Sequence, residues 1–98
     1  MVDMVATEQW VINKTYEKDG VVIVVEWECL RTTNGYTLPF GGESIVSVPS
    51  GSTSDQVVAA IMAEIGPSKL EEMRQFNSEQ ALYMQMKEGA TVVDYTAP

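Results

Sequence analysis

The apolar positions in the first third of the chain follow a period of two, as in a strand with one face buried. The pattern breaks at Asp19-Gly20, a dipeptide suited to a type I′ turn because both of its central residues need positive φ. Residues 8–33 are therefore predicted to form a β-hairpin. A turn centred there fixes the register, because partners must have numbers that sum to 39, as Asp19 and Gly20 do. Tyr16 then faces Ile23, Lys14 faces Val25, Ile12 faces Trp27, and Trp10 faces Cys29, a face that is apolar except for Lys14. The other face pairs Glu17 with Val22, Thr15 with Val24, Asn13 with Glu26, and Val11 with Glu28, and is mostly polar. A slip of one residue would exchange the two faces and bury the charges, so turn and pattern agree.

Asn34-Gly35 repeats the turn chemistry and predicts a third strand over Tyr36–Phe40, with Phe40 opposite Cys29. Pro39 cannot donate to a ladder, which makes that strand short or places it at an edge. Gly41-Gly42 is read as a further reversal into a loosely alternating fourth strand, Glu43–Val48. After a serine-rich joint at Pro49–Ser54 the period changes to that of a helix. Thr53 and Gln56 have the spacing of a capping box, and Val57, Val58, Ile61, Met62 and Ile65 form one stripe. Gly66-Pro67 should end this first helix, Ser68 with Glu71 should begin a second, and Gly89 should close it. Residues 90–95 have strand character and would add an edge strand or pair with another chain. The expected architecture is α+β: an antiparallel three- to four-stranded β-meander packed against two α-helices. It forms one domain over residues 1–98, β-rich in 1–49 and helical in 53–89.

The second helix has apolar residues on two sides. Leu70, Met73, Ala81 and Met84 share a face that Phe76 and Tyr83 are read as widening, while Leu82 and Met86 fall on the opposite flank. Either the first helix covers that flank or a partner does. Methionine suits an adaptable contact. Leu82 and Met86 are accordingly candidate partner-binding residues. So are Met4 and Val5, from an N-terminal stretch that is apolar except for Asp3, and Val92 and Val93, from the C-terminal strand-like segment.

Charge and chemistry narrow the function. Fourteen acidic against six basic residues leave a net charge of −8. That charge repels a phosphate backbone, so no nucleic-acid partner is expected. No segment approaches the ~20 apolar residues that span a membrane, and the N-terminus lacks the features of a secretory signal. There is no histidine, which removes the commonest acid-base residue and metal ligand. Cys29, the single cysteine, lies on the apolar hairpin face and is expected to be core. Neither a phosphate-binding loop nor a dinucleotide fingerprint is present. The expectation is a protein without catalytic residues, cofactor or metal that acts by binding other proteins and is able to form a homo-oligomer.

The run Trp10-Val11-Ile12, then Asp19-Gly20-Val21-Val22, then Val25-Glu26-Trp27 resembles small uncharacterised proteins encoded by tailed bacteriophages. The resemblance covers about a third of the chain. It implies a virion component, assembled in the host cytoplasm, and brings no catalytic residue. The function expected is a structural protein that attaches to a larger tail, fibre or capsid protein through its edge strands, N-terminal arm and Leu82/Met86 flank. The alternative is a small acidic soluble regulator that binds and inhibits a host enzyme.

Overall fold

The computed structural model describes residues 6–93. Three long strands, β1 (Thr7–Lys18), β2 (Val21–Thr33) and β3 (Tyr36–Pro49), form an antiparallel meander with β2 in the centre. Two helices follow, α1 (Ser54–Ile65) and α2 (Pro67–Lys87). They pack chiefly on β3 and cover one face of the sheet. The fold is thus α+β with two layers, and its least dimension of 21 Å is that of one sheet plus one layer of helix. Strands this long make the molecule extended. The radius of gyration is 17.7 Å, where ~13 Å is usual for a chain of this length.

Both turns form where the sequence places them. Asp19 (φ 54°) and Gly20 (φ 76°) take positive φ, as do Asn34 (φ 53°) and Gly35 (φ 81°). The expected register holds from Thr7↔Thr32 to Ile12↔Trp27 and again at Glu17↔Val22 and Lys18↔Val21. Between these stretches it is offset by one residue, through irregularities at Asn13 on β1 and Ile23 on β2. The offset changes which side chains face the core. Lys14 pairs with Glu26 rather than Val25, and Tyr16 pairs with Val24 rather than Ile23. Tyr16 (43% exposed) and Ile23 (36%) therefore lie in solvent, contrary to the uniform register, and Val22 takes the buried place. A bulge reverses the alternation beyond it. Here that removes Lys14 from the apolar face and gives it an opposite charge across the strand.

The predicted reversal at Gly41-Gly42 does not occur. β3 runs through both glycines as one strand, so among the described residues the sheet has three strands. The reason for a glycine at position 41 is proximity. A Cβ there would lie 2.3 Å from the Trp27 carbonyl oxygen and 2.8 Å from the Glu28 Cα. At Gly42 a Cβ would meet nothing within 4 Å.

The core is a single cluster in which Val22, Val25, Trp27, Cys29 and Val46 of the sheet meet Val57 and Ile61 of α1. Trp10 stacks on Trp27 with ring centroids 5.1 Å apart, and Phe40 closes the group edge-on to both. The buried Trp27 indole N–H donates to Ser44 Oγ at 3.0 Å. The Thr53 capping box forms in full: Gln56 N–H donates to Thr53 Oγ1, and Thr53 N–H to Gln56 Oε1. Gly66 (φ 86°) ends α1 with its N–H on Met62 O. The start of α2 differs from the expectation at Ser68. Gly66 is also the N-cap of α2, Pro67 occupies its first turn, and no side chain caps it. Gly66 has no side chain to accept from the free N–H groups of the first turn, and Pro67 suits that turn because it has no N–H to leave unsatisfied.

Candidate binding surfaces

α2 sits on the sheet through a narrow apolar contact and a polar one. Leu70, Asn77 and Ala81 are buried, and Met73 packs against the core. Asn77 donates from Nδ2 to Leu38 O at 2.9 Å, and its Oδ1 is buried without a partner. Phe76 and Tyr83 do not widen this face. At ~100° per residue Phe76 falls at its margin, on the side that opens toward β3, and Tyr83 farther round, beside Leu82 and Met86. Phe76 is 62% exposed, Tyr83 58%, Leu82 43% and Met86 66%. α1 does not cover them. Met84 is also exposed, and none of the residues 82–93 is buried. Polar contacts tie down the end of the helix, from Asn34 Nδ2 to Gln85 Oε1 (3.2 Å) and from the Tyr36 hydroxyl to Glu88.

The polar anchor of α2 is a three-residue ion cluster. Glu8 on β1 receives Arg74 of α2 through both carboxylate oxygens, each at 2.8 Å, and Arg31 of β2 at 3.1 Å. Arg31 also donates to Thr33 Oγ1, to the Arg74 carbonyl and to Ser78 Oγ. All three charged side chains are mostly shielded from water. Burial by itself would raise the Glu8 pKa. The hydrogen bonds and charge of Arg74, helped by Trp10 and Arg31, outweigh that and hold the carboxyl below its ordinary 4.5. None of the three residues stands out in the sequence as a site. The pairing of Glu8 with Arg31 nevertheless follows from the hairpin register, since it extends the Trp10/Cys29 face by one further pair.

Cys29 is fully buried among the aromatic residues, as expected from its face. Burial, reinforced by the negative charge of Glu8, pushes its thiol up to about 11, so it stays protonated at neutral pH. Among the described residues no three acidic or thiol side chains are grouped so as to hold a metal ion. No helix among them is long and apolar enough to cross a membrane.

Two further features are open to contact. A shallow groove of about 270 Å³ runs between β3 and α2, lined by Leu38, Phe40, Phe76, Asn77 and Met84 among others. On the uncovered face of the sheet Glu26 and Glu28 alternate with the buried Val25, Trp27 and Cys29, and Glu26 lies directly opposite Glu43. Tyr16 donates its hydroxyl to Glu26 Oε2 at 2.8 Å there.

Of the residues singled out from sequence, Leu82 and Met86 are neighbours on the outer side of α2. Val92 and Val93 are strongly exposed, at 89% and 66%, but residues 90–93 are not in a strand. Glu88 in extended conformation ends the helix, and the positive φ of Gly89 turns the chain without returning it to a sheet edge. Residues 94 and 95 of that predicted strand, and Met4 and Val5, lie outside the described residues. No family model, curated protein or solved structure matches this chain.

Proposed function

We propose that this chain is a non-catalytic binding protein, a bacteriophage virion component that attaches to a larger tail, fibre or capsid protein. The observation that carries this reading is the outward face of α2, where Leu82, Tyr83 and Met86 stand in solvent. Burying the exposed half of each side chain would contribute roughly 1 kcal/mol, and contiguous apolar surface of this kind marks contact sites. The two shielded elements that chemistry would need, the Cys29 thiol and the Glu8 carboxylate, are already engaged in packing and in holding α2. The phage setting is supported by the resemblance of the hairpin strands around Asp19-Gly20. Co-sedimentation of the purified protein with virions, together with mass spectrometry of intact particles, tests it. Binding that Met86→Glu abolishes is expected. A chain that is absent from particles and binds no virion protein refutes it.

A second reading is favoured by Glu26, Glu28 and Glu43 on the open face of the sheet. It is that of a soluble regulator whose acidic surface docks on a host enzyme and inhibits it. Salt separates the two, because charge-steered association slows steeply as ionic strength rises and an apolar contact responds little.

A further inference from the structure

We infer that the outer edge of β3 takes up an extended segment of a partner protein as a further, antiparallel strand, whose inward side chains fill the groove between β3 and the helices. The site is separate from the outward face of α2. Among the described residues β3 pairs with β2 alone. The two-residue turn at Asn34-Gly35 makes Thr33 and Tyr36 a hydrogen-bonded pair, so the even positions of β3 bond inward and the odd ones turn their backbone outward. Thr37, Pro39, Gly41, Glu43 and Ile45 are all exposed. Of these only Pro39 lacks an N–H, and on an edge strand a proline belongs at an outward position. The edge therefore offers a nearly complete row of donors and acceptors, which a strand satisfies and a folded surface does not.

The groove suits the side chains that such a strand would bring. Residues directly opposite one another in a sheet point to the same face. Those opposite Leu38, Phe40 and Gly42 therefore point toward the helices. The hollow beside Leu38, Pro39 and Phe40 is walled by Phe76, Gln80 and Met84 of α2. A second hollow of about 410 Å³ continues it along β3 as far as Ile45, walled by Glu64 and Ile65 of α1 and by Lys69 and Met73 of α2. Residues 38–45 thus border one trough, ~26 Å long at ~3.3 Å per residue.

Two residues of the trough have no full account within the fold. Asn77 is 4% exposed, and its Oδ1 has no partner. Its Nδ2 bonds to Leu38 O, which sets the amide at the Leu38 position. A side chain with an N–H donor opposite Leu38 meets that acceptor as Phe76 and Gln80, both exposed, turn aside. Gly42 makes no turn, and a Cβ there would touch nothing. Its bare backbone leaves room beside Trp27 for the residue opposite it. Charge sets the partner's sign. The net charge of −8, with Glu43 and Glu64 at one end of the trough, favours a basic strand over an acidic one.

The test titrates a capped peptide, Thr-Arg-Val-Thr-Val-Thr-Trp-Thr, into the isotope-labelled full chain and follows amide resonances. In the antiparallel register its tryptophan lies opposite Leu38, its second valine opposite Phe40, its first valine opposite Gly42 and its arginine opposite Glu43. Saturable binding with Kd below ~1 mM is expected, with shifts at Thr37, Gly41, Gly42 and the Asn77 side chain. N-methylation of the arginine and of the threonine two places on removes main-chain donors and should weaken binding about tenfold or more. Naphthylalanine in place of tryptophan keeps the rings, loses the N–H and should weaken binding about fivefold. Gly42→Val fills the room beside Trp27, and Phe76→Ser removes a wall at a side chain 62% exposed. Each should weaken binding while the circular dichroism is unchanged. No binding at millimolar peptide, indifference to N-methylation or to both variants, or shifts confined to residues 82–86 overturns the inference. Free indole binding as tightly as the peptide also overturns it, and makes the trough a small-molecule site. Association with virions is measured separately and turns on Met86, so either reading can fail alone.

Discussion

Replacing Gly41 and Gly42 separately by alanine distinguishes a close approach from a turn. A Cβ at position 41 would sit 2.3 Å from the Trp27 carbonyl oxygen and 2.8 Å from the Glu28 Cα, both backbone atoms of the central strand. Neither can rotate away, so β2 and β3 must separate over several residues and the ladder next to Trp27 must stretch. Overpacking of this kind typically costs about 1–3 kcal/mol. The upper end applies because the obstacle is backbone. At position 42 nothing lies within 4 Å and φ is not in the left-handed region, so alanine fits. It also restricts the unfolded chain, which makes Gly42→Ala neutral or stabilising by up to about 1 kcal/mol. Urea unfolding followed by the fluorescence of Trp10 and Trp27 should separate the two variants by about 3 kcal/mol, equivalent to a Tm gap on the order of 10–20 °C for a domain of this size. Equal stabilities would refute the close-approach account. If both were strongly destabilised, the turn expected from the Gly-Gly pair would be the better description.

Glu8→Gln should destabilise the protein at neutral pH by about 2 kcal/mol, because charge-assisted hydrogen bonds are lost and Arg31 and Arg74 keep their charges without a counterion. Since the folded carboxyl titrates below 4.5, its contribution is fully present above that value and is lost as pH falls through the folded pKa. Acid titration of stability should therefore show the variant and the parent converging below pH 4.5, and a constant gap down to pH 2 would contradict the assignment. Alkylation of Cys29 by iodoacetamide at neutral pH should be limited by unfolding and rise with urea in step with the loss of tryptophan signal. A native-state rate equal to that of a free thiol would contradict its burial.

Features with a local chemical signature were legible in the sequence. Asp19-Gly20 and Asn34-Gly35 announced their turns because few residues tolerate positive φ. Thr53 and Gln56 announced a helix start because the box needs those two side chains at that spacing. The bulges at Asn13 and Ile23 had no such signature. They arise from how three long twisted strands accommodate one another, and the side-chain alternation of Tyr16 and Ile23 was inverted as a result. Gly41 was ambiguous in principle, since a glycine demanded by a neighbouring carbonyl looks the same in sequence as one demanded by a turn. The anchor of α2 was half legible. Glu8 and Arg31 follow from the register, but Arg74 joins them only through the packing of a helix more than forty residues later. A binding face lacks the fixed ligand spacing of a metal site, so Leu82 and Met86 could be picked out by position, whereas the side on which Phe76 and Tyr83 lie emerged only when Asn77 and Ala81 were seen to occupy the inner one.

The unequal seating of α2 divides its stability along its length. Its first turns share the core and the Glu8 ion cluster, so their amides open to exchange only when much of the fold opens. Its last turns have no buried residue after Ala81 among the described residues, and hydrogen bonds from Asn34 and Tyr36 hold them. They can unwind and re-form many times for each global unfolding event. The most apolar stretch of the helix is thus also its least protected, and whatever covers it must order these turns as it binds. Slowed amide exchange confined to residues 82–88 would then record occupancy of the face, without any change in the rest of the domain.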